Sequence, residues 1–135
     1  MKALLFNLIL LAFLCSSCSR SVIANDPIPS HETIKIQSKI LGETRTINVW
    51  TPINYQTTSN SYPVLYMPDG GVKEDFPHIA NTLAKLIKAK KIHPVILVGI
   101  ENTQRRRDLT GPTTVDKDKE IAPVVGGSEN FSNFI

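Results

Sequence analysis

Three stretches of the chain carry residues whose types and spacing could do chemistry. The first is Asp69-Gly70-Gly71, which closes the short apolar run Pro63–Met67. β-forming residues that stop at Pro, Asp and Gly read as a strand running into a turn. In an open α/β sheet, ligands sit just beyond the carboxyl ends of such strands. Glycines there let the backbone come close to a ligand and let amides point at developing negative charge. An ordinary strand–loop junction would use the same residues. The second stretch is Arg105-Arg106-Arg107-Asp108-Leu109-Thr110. Its guanidiniums could hold an anionic ligand, or the run could be a solvated charge cluster. The third is Gly126-Gly127-Ser128-Glu129-Asn130, a G-x-S-x-G pattern except that Asn130 stands where the last glycine belongs. A nucleophile elbow needs a firm strand before its serine. Only Val124-Val125, after Pro123, precede this one, and Ser128 suits a helix N-cap, so Ser128 is read as a cap.

The histidines are His31, His78 and His93, all upstream of Ser128. In α/β-hydrolases the chain order is serine, acid, histidine, so none of the three fits as a base for a serine at that position. Their spacing matches no metal motif. No metal and no cofactor are expected.

The elements that must position these stretches follow from periodicity. Glu32–Leu41 carries Ile34, Ile36 and Ile40 on even positions, Gly42-Glu43 makes a turn, and Arg45–Thr51 alternates again with Ile47 and Val49. That pattern predicts an antiparallel hairpin. Pro52–Ser61 is a polar loop. Asp75–Lys91 places Ile79, Leu83, Leu86 and Ile87 on one helical stripe, with lysines gathered toward its end, where they suit the helix dipole. His93-Pro94 stops it. Val95–Ile100 is apolar throughout, as a strand buried on both faces would be. Strand, helix, strand is a βαβ unit. Glu101–Val125 reads as a long loop, and Ser128–Ile135 as the start of an amphipathic helix with Phe131 and Phe134 three apart.

In this order, the hairpin, P-V-L-Y-M-P-D-G-G, a helix, P-V-I-L-V-G-I, R-R-R-D-L-T and G-G-S-E-N-F-S-N-F-I resemble the amino-terminal half of the esterase D/enterochelin esterase family, which are α/β-hydrolases. The resemblance covers Glu32–Ile135. It implies an α/β fold: an α/β-hydrolase sheet with an N-terminal antiparallel hairpin followed by a parallel βαβ unit, incomplete because it stops short of the nucleophile strand. It implies sheet order 1-2-4-3, with the Pro63 strand outermost. It implies an oxyanion hole built in part by the Gly71 amide; such a donor lowers the barrier by about 3–4 kcal/mol. It places Asp69, Arg105 and Asp108 beside the substrate, a small-molecule ester, with the arginines facing an anionic or polyphenolic group. The family's nucleophile, acid and base find no counterpart here.

The bounds agree with one domain. The chain has 135 residues, fifteen basic and twelve acidic, net +3. Met1-Lys2 and the apolar run Ala3–Leu14 form a signal-peptide layout, too short to span a bilayer comfortably. Two processing sites compete. Val22-Ile23-Ala24 before Asn25 fits ordinary cleavage. Cys15-Ser16-Ser17-Cys18 is similar to a bacterial lipobox with Cys18 acylated, although Cys15 occupies a place usually aliphatic. Cleavage after Ala24 removes Lys2, Arg20 and both cysteines. It leaves 111 of the 135 residues, thirteen basic against twelve acidic, and no disulfide. Such a balance gives no electrostatic case for nucleic acid. The expected organisation is a leader at 1–24, a linker at 25–31 and a hydrolase segment at 32–135. The expected location is periplasmic or secreted, with membrane attachment only through a lipidated Cys18. Two functions fit: an N-terminal portion of a secreted serine carboxylesterase, inactive alone, or an exported non-catalytic binding or accessory module.

Overall fold

The computed structural model describes residues 26–135; the expected leader and both candidate processing sites lie outside the described residues. A four-stranded sheet has β1 (Glu32–Ser38), β2 (Glu43–Trp50), β3 (Val64–Pro68) and β4 (Ile96–Ile100) in the order β1-β2-β4-β3. β1–β2 and β2–β4 pair antiparallel, and β3–β4 pair parallel, with Leu65 beside Leu97 and Leu97 beside Trp50. The hairpin, the βαβ unit and the strand order match the sequence expectation.

The hairpin is shorter at one end than its alternation suggested. β1 stops at Ser38 because the Ser38 hydroxyl accepts the Leu41 N–H at 3.1 Å, and Gly42 turns the chain with φ +69°. Ile40 therefore belongs to the turn. β2 begins earlier than expected, at Glu43.

Helix α1 (Phe76–Lys88) joins β3 to β4. Pro77 sits in its first turn, where a missing N–H is harmless. Its end is a complete Schellman closure: Lys90, at φ +55°, donates to Ile87 O, and Lys91 to Leu86 O. That closure ends the helix three residues before the expected Lys91. On one sheet face α1 buries Phe76 and Ala80 against Trp50 and Leu97. Full burial of a residue such as Phe76 stabilises by about 1.5–3 kcal/mol.

The expected loop from Glu101 to Val125 contains two short helices, α2 (Arg105–Leu109) and α3 (Asp116–Ile121). Helix α4 (Ser128–Phe134) lays Phe131 on Ile47 and Ile100, starting the core of the opposite sheet face. That second face is only partly covered. Ile34, Ile36 and Tyr66, the last of these on the outermost strand, are exposed, so alternation in β1 correctly assigned residues to one face but not to a buried one.

Candidate functional site

Asp69-Gly70-Gly71 lies at the carboxyl end of β3, beside the end of β4, where the sheet order leaves the chain sequence. The loop is pinned by backbone contacts that only glycine permits. The Gly70 N–H donates to Ile100 O at 2.9 Å, and a Cβ on Gly70 would lie 2.3 Å from the Gly99 backbone. The Gly70 carbonyl accepts from the buried Asn48 side-chain amide at 2.9 Å. Asp69 bends the chain through φ +57°, a conformation non-glycine residues adopt rarely, Asp among the more tolerant.

The loop presents its next amide outside the sheet ladder. The Gly71 N–H donates to Glu74 Oε2 at 2.7 Å. Asn102, two residues beyond β4, meets the same carboxylate: its side-chain amide donates to Glu74 Oε1 at 2.7 Å, and its backbone N–H reaches Oε2 at 3.4 Å. The Asn102 side chain also donates to Asp69 Oδ1. Glu74 and Asn102 were not singled out in the sequence. Glu74 stands three residues after Gly71, a spacing at which a glutamate can reach back to a backbone amide. Asn102 follows a strand end at the switch in strand order. Those were the available signals.

Asp69 and Arg105, both expected at a substrate, are brought together and hold each other. Arg105 Nε and Nη2 donate to the two Asp69 carboxylate oxygens at 2.6 and 2.9 Å. The guanidinium holds the Asp69 carboxyl below its ordinary 3.8; partial burial opposes this and the Asn102 bond adds to it. Asp69 in turn raises the Arg105 pKa. This pair is solvent-exposed on the arginine side, with 61% of that side chain accessible, so its net hold is weak and readily exchanged.

Asp108 has a different position from the one expected. It is 1% exposed, and both its oxygens are taken, one by Arg45 and one by Arg107 Nε at 2.7 Å. Its carboxylate is therefore turned into the protein and supports α2 instead of facing a ligand. Arg107 continues the cluster to Glu43 through contacts of 2.7 and 3.2 Å, and lies beside Thr103. Its pKa is raised well above the ordinary arginine value, chiefly by Glu43 and then by Asp108. Glu43 is correspondingly lowered from 4.5, chiefly by Arg107. Arg45 is fully buried, gives Nη1 to Glu101 O at 3.2 Å and lies 5.4 Å from the Phe131 ring centre. Its Nε is 2.9 Å from Glu43 Oε1, near enough for charge attraction, but it makes no aligned hydrogen bond. The charges that orient α2 thus come from β2.

Ser128 is the first residue of α4, with Gly127 at the cap and no side-chain cap bond, so the expected N-cap role is corrected. Its N–H donates to Thr110 O at 3.2 Å. Val124-Val125 form no strand, so an elbow is missing at this serine. His31 Nδ1 contacts Pro29 O, and the ring meets Phe76 edge-on. His78 pairs with Asp26 at 2.6 Å. Among the described residues, no group of three or more His, Cys, Asp and Glu side chains could hold a metal ion, and no helix is long and apolar enough to cross a membrane.

Among solved structures, the chain is similar to an IroE-like serine hydrolase from Shewanella oneidensis, at 31% identity and TM-score 0.68, over 78% of this chain and 35% of that one. It is similar to the BES protein from Bacillus cereus at 26% identity and TM-score 0.62, over 80% of this chain and 46% of that one. The enterobactin esterase FES from Shigella flexneri shares the fold, at 20% identity and TM-score 0.50, over 73% and 28%. The chain spans less than half the length of each. No curated protein matches it. The family model described as Putative esterase matches residues 38–135. That span contains the glycine loop, α2 with its charged supports and α4, and by it the chain belongs to the putative esterase family.

Proposed function

We propose that this chain supplies the oxyanion side of a serine carboxylic ester hydrolase and does not turn over esters by itself. The observation that carries the reading is the Gly71 amide, which stands outside the sheet ladder at a strand's carboxyl end and already rests on a carboxylate oxygen. A backbone N–H so placed can stabilise the oxyanion of a tetrahedral intermediate. Asp69 and Arg105 border the same loop, and their exposed pairing leaves Arg105 able to exchange Asp69 for an anionic or phenolic substituent of the ester. Acyl transfer also needs an activated serine. Among the described residues, neither Ser128 nor any histidine is hydrogen-bonded as a nucleophile–base pair.

The test is hydrolysis of 4-nitrophenyl butyrate by the purified chain beginning at Asn25, beside a Ser128→Ala variant, together with the DNA that follows the Ile135 codon. No serine-dependent turnover, and an in-frame G-x-S-x-G further on, are expected. Turnover abolished by Ser128→Ala would make Ser128 the nucleophile and overturn the inactivity. A stop codon with a cooperatively folded, inactive chain would instead support a binding or accessory module.

We also propose that the product is exported and cleaved before Asn25, on the strength of the Ala3–Leu14 apolar run and Val22-Ile23-Ala24. Mass spectrometry of the native product should find Asn25 first. A diacylated Cys18 would replace this with a lipoprotein, and a cytoplasmic product retaining Met1 would overturn export.

A further inference from the structure

The geometry points to a three-donor anion cradle made by the Gly71 N–H, the Asn102 N–H and the Asn102 side-chain amide, with the Glu74 carboxylate as its resident occupant. This rests on the reading of Gly71 as an oxyanion donor and goes beyond it in two respects. Asn102 joins the donor set, and the chain carries the anion that holds the set before a ligand arrives.

The distances define the cradle. Gly71 N and Asn102 N converge on one oxygen, Glu74 Oε2, at 2.7 and 3.4 Å, while Asn102 Nδ2 lies 2.7 Å from Oε1. Two segments far apart in sequence therefore aim donors at a single carboxylate: the loop after β3 and the loop after β4. A reach-back cap on a turn would explain the Gly71 contact alone. It would not bring in both amides of Asn102. Glycine at 71 is what admits the carboxylate, because a Cβ there would stand 2.8 Å from Glu74 Oε2 and 2.9 Å from Glu101 Cγ.

The ligand class follows from the donors. Three converging N–H donors suit an oxyanion: the tetrahedral intermediate of an ester, or a phosphonate of the same shape, arriving beside the Asp69 oxygen that shares the Asn102 side-chain amide. Glu74 is the competitor, since the same N–H groups cannot serve its carboxylate and an incoming oxyanion together. Glu74 is only partly buried and is joined to a turn, so its side chain can rotate out to water without moving the sheet. The Asn102 amide also bonds to Asp69 Oδ1. Arg105 leaving Asp69 for a substrate therefore changes a partner of the residue that grips Glu74, and so links substrate capture to emptying of the cradle.

The experiment is an NMR titration of the chain with methylphosphonate, following the Gly71 and Asn102 amide resonances in wild type, Glu74→Ala and Glu74→Gln. Loss of the competing carboxylate should tighten binding by about tenfold in Glu74→Ala, the scale of one charge-assisted hydrogen bond. Glu74→Gln keeps the shape and removes the charge, so it should tighten binding by a few-fold and serves if the alanine variant does not fold. Equal affinity in wild type and a folded variant would overturn Glu74 as occupant while leaving Gly71 as an oxyanion donor. Binding that shifts Gly71 but not Asn102 would remove Asn102 from the donor set. No binding in any folded variant would overturn both the cradle and the oxyanion reading.

Discussion

The side chains of Arg45 and Asp108, 63 residues apart in the chain, are both fully shut off from solvent and ion-paired with each other. β2 thereby holds α2, the helix that carries Arg105, by a contact with no water to replace it. Removing one partner of a buried pair leaves the other charge uncompensated, at a cost of about 3–5 kcal/mol. Asp108→Ala, which also strips Arg107 of a partner, should lower Tm by more than roughly 10 °C for a domain of this size. An Arg45→Met/Asp108→Leu double replacement should be milder than either single change. Thermal unfolding of the three variants checks this, and an unchanged Tm in Asp108→Ala would remove the pair as the anchor of α2.

Acid should loosen the same region. Glu43 and Asp69 titrate in the folded chain below their ordinary 4.5 and 3.8, held chiefly by Arg107 and Arg105 respectively. Because the folded values are the lower ones, their stabilisation is fully present above the unfolded values and is lost as pH falls through the folded values. Tm should fall from about pH 5 downward. Asp69→Asn should flatten part of that slope, and a Tm profile identical to wild type would show that the Asp69 pairing does not persist in solution.

Gly70→Ala should be far more damaging than an ordinary surface change. The added methyl would meet Gly99 and Ile100 backbone at 2.3 Å, and neither backbone can yield without breaking the β3–β4 ladder. Overpacking of this kind costs about 3 kcal/mol. A urea midpoint within error of wild type would contradict the close approach.

β3 is an outer strand with Val64, Leu65 and Tyr66 each at least 43% exposed. Unpaired N–H and C=O groups next to apolar side chains invite edge-to-edge association. The chain from Asn25 onward should self-associate in sedimentation velocity, and Val64→Lys/Tyr66→Lys should shift it toward monomer. Monomeric wild-type chain at the same concentration would show the edge to be harmless.

The strands and the helix between them were legible because they are written in local periodicity: β-formers before Pro68-Asp69-Gly70, an apolar stripe along α1 and an unbroken run in β4; their order in the sheet came from the family resemblance alone. Burial was not, because alternation marks a face without saying what covers it; Ile34 and Ile36 share a face with buried Ile47 and remain exposed. The loop holding Asp69 and Gly71 was legible from its turn chemistry. The partners that define the site, Glu74 and Asn102, were not, since a glutamate before a helix and an asparagine after a strand are ordinary in either place. The family resemblance of the arginine-rich run places Asp108 beside a ligand; only the fold shows that Arg45 reaches it from β2. The helices α2 and α3 escaped notice because five and six residues are too few to show a 3.6-residue period.

The hairpin also acts as a proofreader for the glycine loop. Asn48 is 1% exposed, takes the Thr33 hydroxyl at 2.9 Å and gives its amide to Gly70 O. A one-residue slip of β2 would turn Asn48 to the other sheet face, leaving the Gly70 carbonyl buried without a donor. Only the correctly threaded β2 can therefore close the loop, so an error in the register of this inner strand is detected where the chemistry is set up. Asn48→Val should remove that check, visible as faster amide exchange at Gly70 and Gly71 while the β1–β2 ladder stays protected; unchanged exchange would show that the loop holds its own shape.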